Sequence, residues 1–322
     1  MTHSVLKVDD ILNPGWRARF GADASAPMFA VLGKPIGHSK SPLIQNAALA
    51  ALPKLGCAHA ERFAGSEYFA FEVAPENLGG ALKIFGDRGF MGLNLTIPHK
   101  EVVLPFVYQF DESARLAGAC NTLQFTESGW KGFNTDGYGL EKAAAEGLGA
   151  KLGGADVVII GAGGAARGAA FHIAFAAKAR SIVLANRSRD RLEKLRRDLD
   201  EAGFECGAYA LDDERLYSAI RPGSVIVNAT SVGLGLADKP VLDFSKVDQS
   251  CAFFDMPYAF GRQTASVGAA LARGLRACGG LGMLAWQGAK SLSIWTGCDV
   301  ELAGRAMCGA LLGTTTEEGR AK

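Results

Sequence analysis

Gly161-Ala162-Gly163-Gly164-Ala165-Ala166 follows the apolar run Val157–Ile160 directly and opens a Gly/Ala-rich stretch of helical composition, 164–178. Few folds satisfy a strand, a glycine turn and a helix in such short order. The first glycine permits the tight turn, the second lets the backbone approach a ligand closely, and the small third position lets the helix pack on the strand. Free N–H groups and the positive dipole at the helix start then favour an anion. A second strand at Ser181–Ala185 and a charged helix at 189–202 complete a βαβ unit. In that context the turn reads as a seat for a dinucleotide pyrophosphate; without it, the same glycines would be a packed turn and nothing more.

The βαβ unit belongs to a longer α/β series, with further strands at Val225–Ala229 and Ala252–Phe254. An earlier series precedes it. Met28–Gly33 is strand-like, a Pro/Gly/Ser-rich loop covers Lys34–Pro42, and Leu43–Leu52 is helical in composition. Strands at Tyr68–Val73 and Gly92–Ile97 flank a helix near Leu78–Phe85, which predicts a largely parallel sheet here too. The 322 residues are enough for two cores. The fold class is α/β, a two-domain chain with a Rossmann-type doubly wound unit; Gly279–Gly282 reads as a hinge before a helix at Leu284–Trp295. We find no internal repeat and no low-complexity segment.

Charge and cysteine usage narrow the function classes. The formal net charge is +1, so no broad positive field favours nucleic acid or an anionic membrane, and anion recognition must be local. No apolar run is long enough to span a bilayer. Residues 1–28 carry Asp9, Asp10 and Asp23 without an apolar core, unlike a secretory signal, and read as a surface extension partly ordered around Trp16 and Phe20. Seven scattered cysteines without a Cys-x-x-Cys pair argue against a disulfide framework or structural zinc, and fit reduced thiols in a cytoplasmic chain. His38, His59, His99 and His172 form no metal-ligand spacing, so no metal is expected.

The end of the second strand selects the cofactor. NAD-preferring sites place an acidic residue there for the ribose 2′-hydroxyl. Here the run is Asn186-Arg187-Ser188-Arg189-Asp190-Arg191. Arg187 and Arg191 can converge on a 2′-phosphate with Ser188 as a further donor, which favours NADP; a solvated basic helix start is the alternative. Asp190 lies past the strand end and faces solvent on this reading.

Two polar clusters each end an apolar run: Asn94-Leu-Thr96-Ile-Pro98-His99-Lys100 and Phe133-Asn134-Thr135-Asp136-Gly137. Together they supply an amine, a carboxylate, amides and hydroxyls, an inventory suited to a small polyhydroxylated acid on which a proton is moved. Upstream, Ser39 and Ser41 place two hydroxyls just before a helix, where they can bind a carboxylate or merely cap the helix. Taken in order with Gly118-Ala-Cys120-Asn121-Thr122, Gly161–Ala166, Asn186-Arg187-Ser188 and Asn228-Ala-Thr-Ser231, these segments resemble the shikimate dehydrogenase family from about Val31 to Gly297.

The resemblance implies reversible, NADP-dependent reduction of 3-dehydroshikimate to shikimate. It implies a discontinuous substrate domain (1–137 and 280–322), an NADP domain (138–279) and a cleft between them for the ligands. Carried to matching positions, Lys100 and Asp136 form the catalytic pair, and Ser39, Ser41, Thr96, Asn121, Tyr258 and Gln287 bind substrate. Gly161, Ala162, Gly163, Gly164, Ala165, Asn186, Arg187, Ser188, Arg191, Met256 and Gly280 line the cofactor. Lys100 would protonate the developing alkoxide, and Asp136 would orient the lysine and a ring hydroxyl. A small-molecule substrate and a monomer or homodimer follow. The chain departs from the family pattern at Asp255–Ala265, which lacks both expected prolines and differs in length. Alternatives are a quinate/shikimate dehydrogenase, an aminoshikimate-type paralogue, and a catalytically silent NADP- or metabolite-binding regulator.

Overall fold

A computed structural model describes residues 5–318 apart from positions 14, 20–24, 234, 236 and 259–261. The chain divides into two compact units, one running to Thr135 and resuming over Ala285–Thr314, the other spanning Asp136–Leu284.

In the first unit the elements are α1 (Trp16–Arg19), β1 (Met28–Gly33), α2 (Ser41–Ala51), β2 (Glu67–Glu72), α3 (Leu78–Asp87), β3 (Phe90–Leu95), α4 (His99–Val102), β4 (Gln109–Phe110), α5 (Glu112–Ala117), β5 (Thr122–Thr126) and β6 (Gly129–Phe133). The sheet order is β2-β1-β3-β5-β6-β4. β1 is parallel to β2 and β3, and is buried along its whole length, as a strand covered on both faces must be. The expected parallel sheet is in fact mixed, because β5 runs antiparallel to both β3 and β6. The β5–β6 hairpin turns at Gly129, whose φ of +114° only glycine adopts readily.

The N-terminal segment corrects a second expectation. Leu6 bridges to Phe71, Ile11 is fully buried, and Trp16 is 5% exposed, stacked on Phe90 with centroids 5.6 Å apart. This segment is core rather than surface extension, because Phe69, Phe71, Phe85 and Phe90 leave an apolar face that Trp16 covers. Phe20 lies outside the described residues.

The second unit contains α6 (Asp136–Leu148), β7 (Asp156–Ile160), α7 (Gly164–Phe171), β8 (Ser181–Asn186), α8 (Arg189–Glu201), β9 (Gly207–Ala210), α9 (Arg215–Ala219), β10 (Val225–Asn228), β11 (Ala252–Asp255), α10 (Ala265–Arg273) and β12 (Arg276–Gly279). Its order, β12-β11-β10-β7-β8-β9, is parallel throughout. Counted from β7 this is 3-2-1-4-5-6 read from the β9 edge, the doubly wound arrangement in which strand order reverses between β7 and β10. The predicted helix 164–178 is shorter than expected: α7 ends at Phe171 and passes into a π turn over His172–Ala176.

α11 (Leu281–Thr296) follows β12 directly, and α12 (Val300–Glu318) is the last helix among the described residues. The boundary between units falls within α11, so Gly279–Gly282 is a tight strand-to-helix junction. From Ala285 onward α11 belongs to the first unit. Trp295 stacks on Phe29 at 5.0 Å, and its Nε1 donates to Leu123 O at 2.9 Å. Gly92 makes room for it: a Cβ there would fall 2.4 Å from the indole.

Candidate active site

Each polar cluster foreseen in the sequence sits at a strand end, held by buried hydrogen bonds. At the end of β3, Thr96 N donates to Leu32 O at 3.0 Å and His99 N to Thr96 O at 2.8 Å. The His99 ring is fully buried, with Nε2 2.9 Å from Val73 O, and burial lowers its pKa. His99 therefore pins α4, on which the half-buried Lys100 is the second residue. Cys120 N donates to Lys100 O at 2.8 Å, tying the segment before Asn121 to the lysine. A Cβ on Gly33 would meet Thr96 Cγ2 at 2.5 Å, so glycine is what lets β1 approach Thr96.

Ser39 and Ser41 lie at the start of α2, where Ser39 Oγ accepts from Ser41 N at 3.3 Å. Ser41 is buried near the Tyr68 hydroxyl, and its side chain offsets part of the rise that burial gives the Tyr68 pKa. Asn121 is 2% exposed. Its Oδ1 accepts from Thr135 N at 2.8 Å and from Thr122 Oγ1 at 3.0 Å, while its Nδ2 faces Thr135 Oγ1 at 2.9 Å and Gln287 Oε1 at 3.4 Å. Thus Asn121 and Gln287 are joined by one set of buried polar groups. Tyr68, Asn94, Thr122, Thr135 and Ser291 also belong to that set, and the sequence reading does not single them out as site residues. Asn94 and Thr135 stand inside the quoted motifs, and Ser291 lies one helical turn after Gln287, a usable signal. Tyr68 carries none.

In the second unit, Asp136 is the first residue of α6 and is buried, in the position where a helix dipole favours a carboxylate. The glycine turn lies at the strand-order reversal. Ile160 pairs with Ala185 on one side and Asn228 on the other, so the ends of β7, β8 and β10 align. Gly161 has φ +125°, and a Cβ on it would lie 3.0 Å from Ala229 O. Gly163 is exposed, and a Cβ there would meet nothing within 4 Å. A closed turn followed by an open, side-chain-free helix start fits a pyrophosphate. Ala162, Gly164 and Ala165 complete it, all half-buried.

At the end of β8, Asn186 Nδ2 donates to Ser188 O at 2.9 Å, which shapes the loop. Ser188, Arg187 and Arg191 are exposed, and neither arginine has an ion-pair partner among the described residues. Asp190 is exposed too, as expected. Gly280 and Met256 meet directly: a Cβ on Gly280 would fall 2.0 Å from Met256 O. Tyr258 is half-buried, and burial raises its pKa; the adjoining positions 259–261 fall outside the described residues. Below this loop the buried Asp255 bonds Asn228 Nδ2 at 2.6 Å and Thr264 Oγ1, and burial pushes its pKa up to about 6. Cys120 is inert packing, its thiol pushed up to about 12 by burial.

Comparison with known proteins bears on most of the chain. Residues 31–123 match the shikimate dehydrogenase substrate binding domain, residues 142–256 the family described as shikimate / quinate 5-dehydrogenase, and residues 280–303 the shikimate 5′-dehydrogenase C-terminal domain. A Methanopyrus kandleri protein named shikimate dehydrogenase (NADP(+)) is 37% identical over 85% of this chain and 92% of its own. A crystal structure of a shikimate dehydrogenase in complex with NADP+ superimposes with a TM-score of 0.77 at 30% identity, over 90% of this chain and 97% of the other. The Thermus thermophilus enzyme, solved with NADP(H) and shikimate, gives 0.73 at 34% identity over 88% and 99%. Motif order, strand order and these likenesses agree along nearly the whole length, and the chain belongs to the shikimate dehydrogenase family.

Proposed function

We propose that this chain catalyses the reversible, NADP(H)-dependent reduction of 3-dehydroshikimate to shikimate, a step of aromatic amino-acid biosynthesis. The observation that supports it best is the buried amide–hydroxyl set around Asn121, in a chain 37% identical to an NADP-dependent shikimate dehydrogenase. Bound NADPH supplies hydride to the C3 carbonyl carbon. Lys100 Nζ then gives a proton to the C3 oxygen as negative charge develops there, and its positive charge stabilises that oxygen beforehand. Asp136 accepts a hydrogen bond from a ring hydroxyl and orients the lysine. Ser39 and Ser41 bind the substrate carboxylate, while Thr96, Asn121, Tyr258 and Gln287 take ring hydroxyls and exclude water.

The turn at 161–165 holds the pyrophosphate on backbone N–H groups, and Asn186, Arg187, Ser188 and Arg191 hold the 2′-phosphate, with Met256 and Gly280 lining the nicotinamide end. A net charge near zero supports a protein with no nucleic-acid or membrane partner; the reading further takes it to work in the cytoplasm as a monomer or homodimer. The test is initial rates on purified protein for shikimate and quinate, each with NADP+ and NAD+. High kcat/KM for shikimate with NADP+ alone bears the reading out. Comparable quinate or NAD+ rates would move the chain to the quinate branch, and no turnover would sink the enzymatic reading.

A further inference from the structure

The glycine that follows Asp136 is required by a neighbour. A Cβ on Gly137 would fall 2.1 Å from His172 Cβ and 2.3 Å from its Cγ, so the first turn of α6 lies flush on that side chain. Glu141 stands four residues after Gly137, on the same face of the helix. Its Oε2 lies 2.7 Å from His172 Nε2. A carboxylate oxygen only accepts, so Nε2 carries the hydrogen, and this bond holds the Glu141 carboxyl below its ordinary pKa. One half-buried ring therefore meets α6 at two successive turns, by close packing beside Asp136 and by a charge-assisted hydrogen bond further along.

His172 is also tied to the dinucleotide turn. It follows the last residue of α7, the helix that begins at that turn, and it opens the π turn. Its carbonyl accepts from Ala177 N at 2.9 Å, the i→i+5 bond of the widened turn. Such turns are rare and recur at functional sites. α7 runs for eight residues, about 12 Å, from Gly164 to Phe171. A single short helix thus carries the pyrophosphate seat at one end and the α6 contact at the other. Neither His172 nor Glu141 belongs to the proposed substrate or cofactor contacts.

We propose that His172 is a positioning residue for Asp136, seating the first turn of α6 on α7 and so fixing the carboxylate relative to the dinucleotide turn. The catalytic meaning of this placement rests on the proposed function; the placement itself does not. Without the ring, Gly137 loses its packing surface and Glu141 its partner, which releases the start of α6. Asp156, buried at the start of β7, keeps its own partners Arg180 and Ser181.

The experiment is carboxylate footprinting of the full chain, with a water-soluble carbodiimide and glycine ethyl ester, read by peptide mass spectrometry. Asp136 and Asp156 are 4% and 6% exposed, so Asp156 reports any general loosening of the second unit. His172→Ala should raise the labelling rate of Asp136 about fivefold or more, and that of Asp156 less than about twofold. His172→Gln, whose amide N–H can still reach Glu141, should return Asp136 to within about twofold of wild type. In kinetics with shikimate and NADP+, His172→Ala should lower kcat about tenfold, the scale of a small displacement of a catalytic group, with the KM for NADP+ held within about threefold. Combined with Asp136→Asn it should cost nothing further, because the carboxylate it positions is gone. Unchanged Asp136 labelling in His172→Ala overturns the inference. So does an equal rise at Asp156, or a double variant whose kcat falls by the product of the two single losses. If His172→Ala fails to fold, Glu141→Ala removes the hydrogen bond at a side chain already 41% exposed, and unchanged Asp136 labelling there overturns the inference instead. Footprinting needs no turnover, so a wild type inactive on shikimate would sink the functional reading while the placement of Asp136 is still decided.

Discussion

The two units build their sites from different materials. In the first, the candidate contacts are side chains whose orientation is set by other buried side chains, with Asn94, Asn121, Thr122, Thr135 and Ser291 joined in one hydrogen-bonded set. In the second, the site is mostly bare backbone: Gly161 held in the left-handed region and Gly163 open to solvent, at a reversal of strand order. A side-chain site distinguishes hydroxyl patterns on a small ring, because each donor and acceptor is individually placed. A backbone site grips a group common to many ligands and depends on shape. The two should therefore fail differently: atom deletions damage the first, and atom additions damage the second.

The largest expected effect tests the first half of that contrast. Lys100→Ala removes the proposed proton donor from a turn anchored by His99, so the backbone stays in place. We expect kcat to fall on the order of 10³-fold, within the range that one acid–base group supplies, with the KM for NADP+ nearly unchanged. A kcat within tenfold of wild type, measured with shikimate and NADP+, would remove Lys100 from the chemistry.

Gly161→Ala is the matching addition. Its φ of +125° suits no side-chain-bearing residue, and the new Cβ would press on Ala229 O at 3.0 Å. A strain of about 2–3 kcal/mol at the turn predicts a KM for NADP+ raised about 30- to 150-fold. The KM for shikimate should move less than about threefold, and equal rises in both would break the contrast.

How far each site can be read from sequence follows the same division. The glycine turn is legible because backbone geometry imposes residue type locally: a positive φ and an open helix start demand glycine wherever they occur. Lys100, Asp136 and Asn121 are legible as members of a known order of motifs, not as a geometry. Tyr68 and Ser291 are not, since a hydroxyl's partners depend on strands and helices brought together from positions as far apart as Asn94 and Ser291. The same limit hides the β5–β6 hairpin's effect on the sheet. Its alternating pattern and Gly129 turn are local signals, but its antiparallel pairing with β3 is a tertiary choice. Trp16 misleads because a segment rich in Asp reads as solvated until the aromatic face it covers is known.

Asp255 offers a smaller test, of stability rather than kinetics, and shows that the second unit also buries polar groups. Its folded pKa, about 6, lies above the ordinary 3.8, so the folded chain keeps a proton that the unfolded chain has released. Stability is therefore expected to fall as pH rises from about 4 to about 6 and to level off above that, by about 2–3 kcal/mol in all. Asp255→Asn keeps a neutral partner for Asn228 and Thr264 and should lose most of that decline. Urea unfolding at pH 4.5 and 7.5 would check it; an unchanged decline in the variant would assign the effect to another group.

The smallest effect falls where the second unit breaks its own rule. Arg187 and Arg191 are side chains, exposed and without ion-pair partners among the described residues, whereas Arg189 between them lies in the field of Asp213. Two uncommitted guanidinium groups at the end of β8 suit the 2′-phosphate, which alone distinguishes NADP from NAD and so cannot be recognised by a turn that binds both pyrophosphates alike. Each arginine–phosphate contact is worth about 1.5 kcal/mol, so Arg187→Ala or Arg191→Ala should each lower kcat/KM for NADP+ about tenfold. The value for NAD+ should hold within about twofold, and rising salt should shrink the NADP+ preference of the wild type. If NADP+ and NAD+ fall together, the arginines support the turn rather than read the phosphate. If neither falls, discrimination lies in the backbone after all, and the second unit recognises its cofactor without side chains at all.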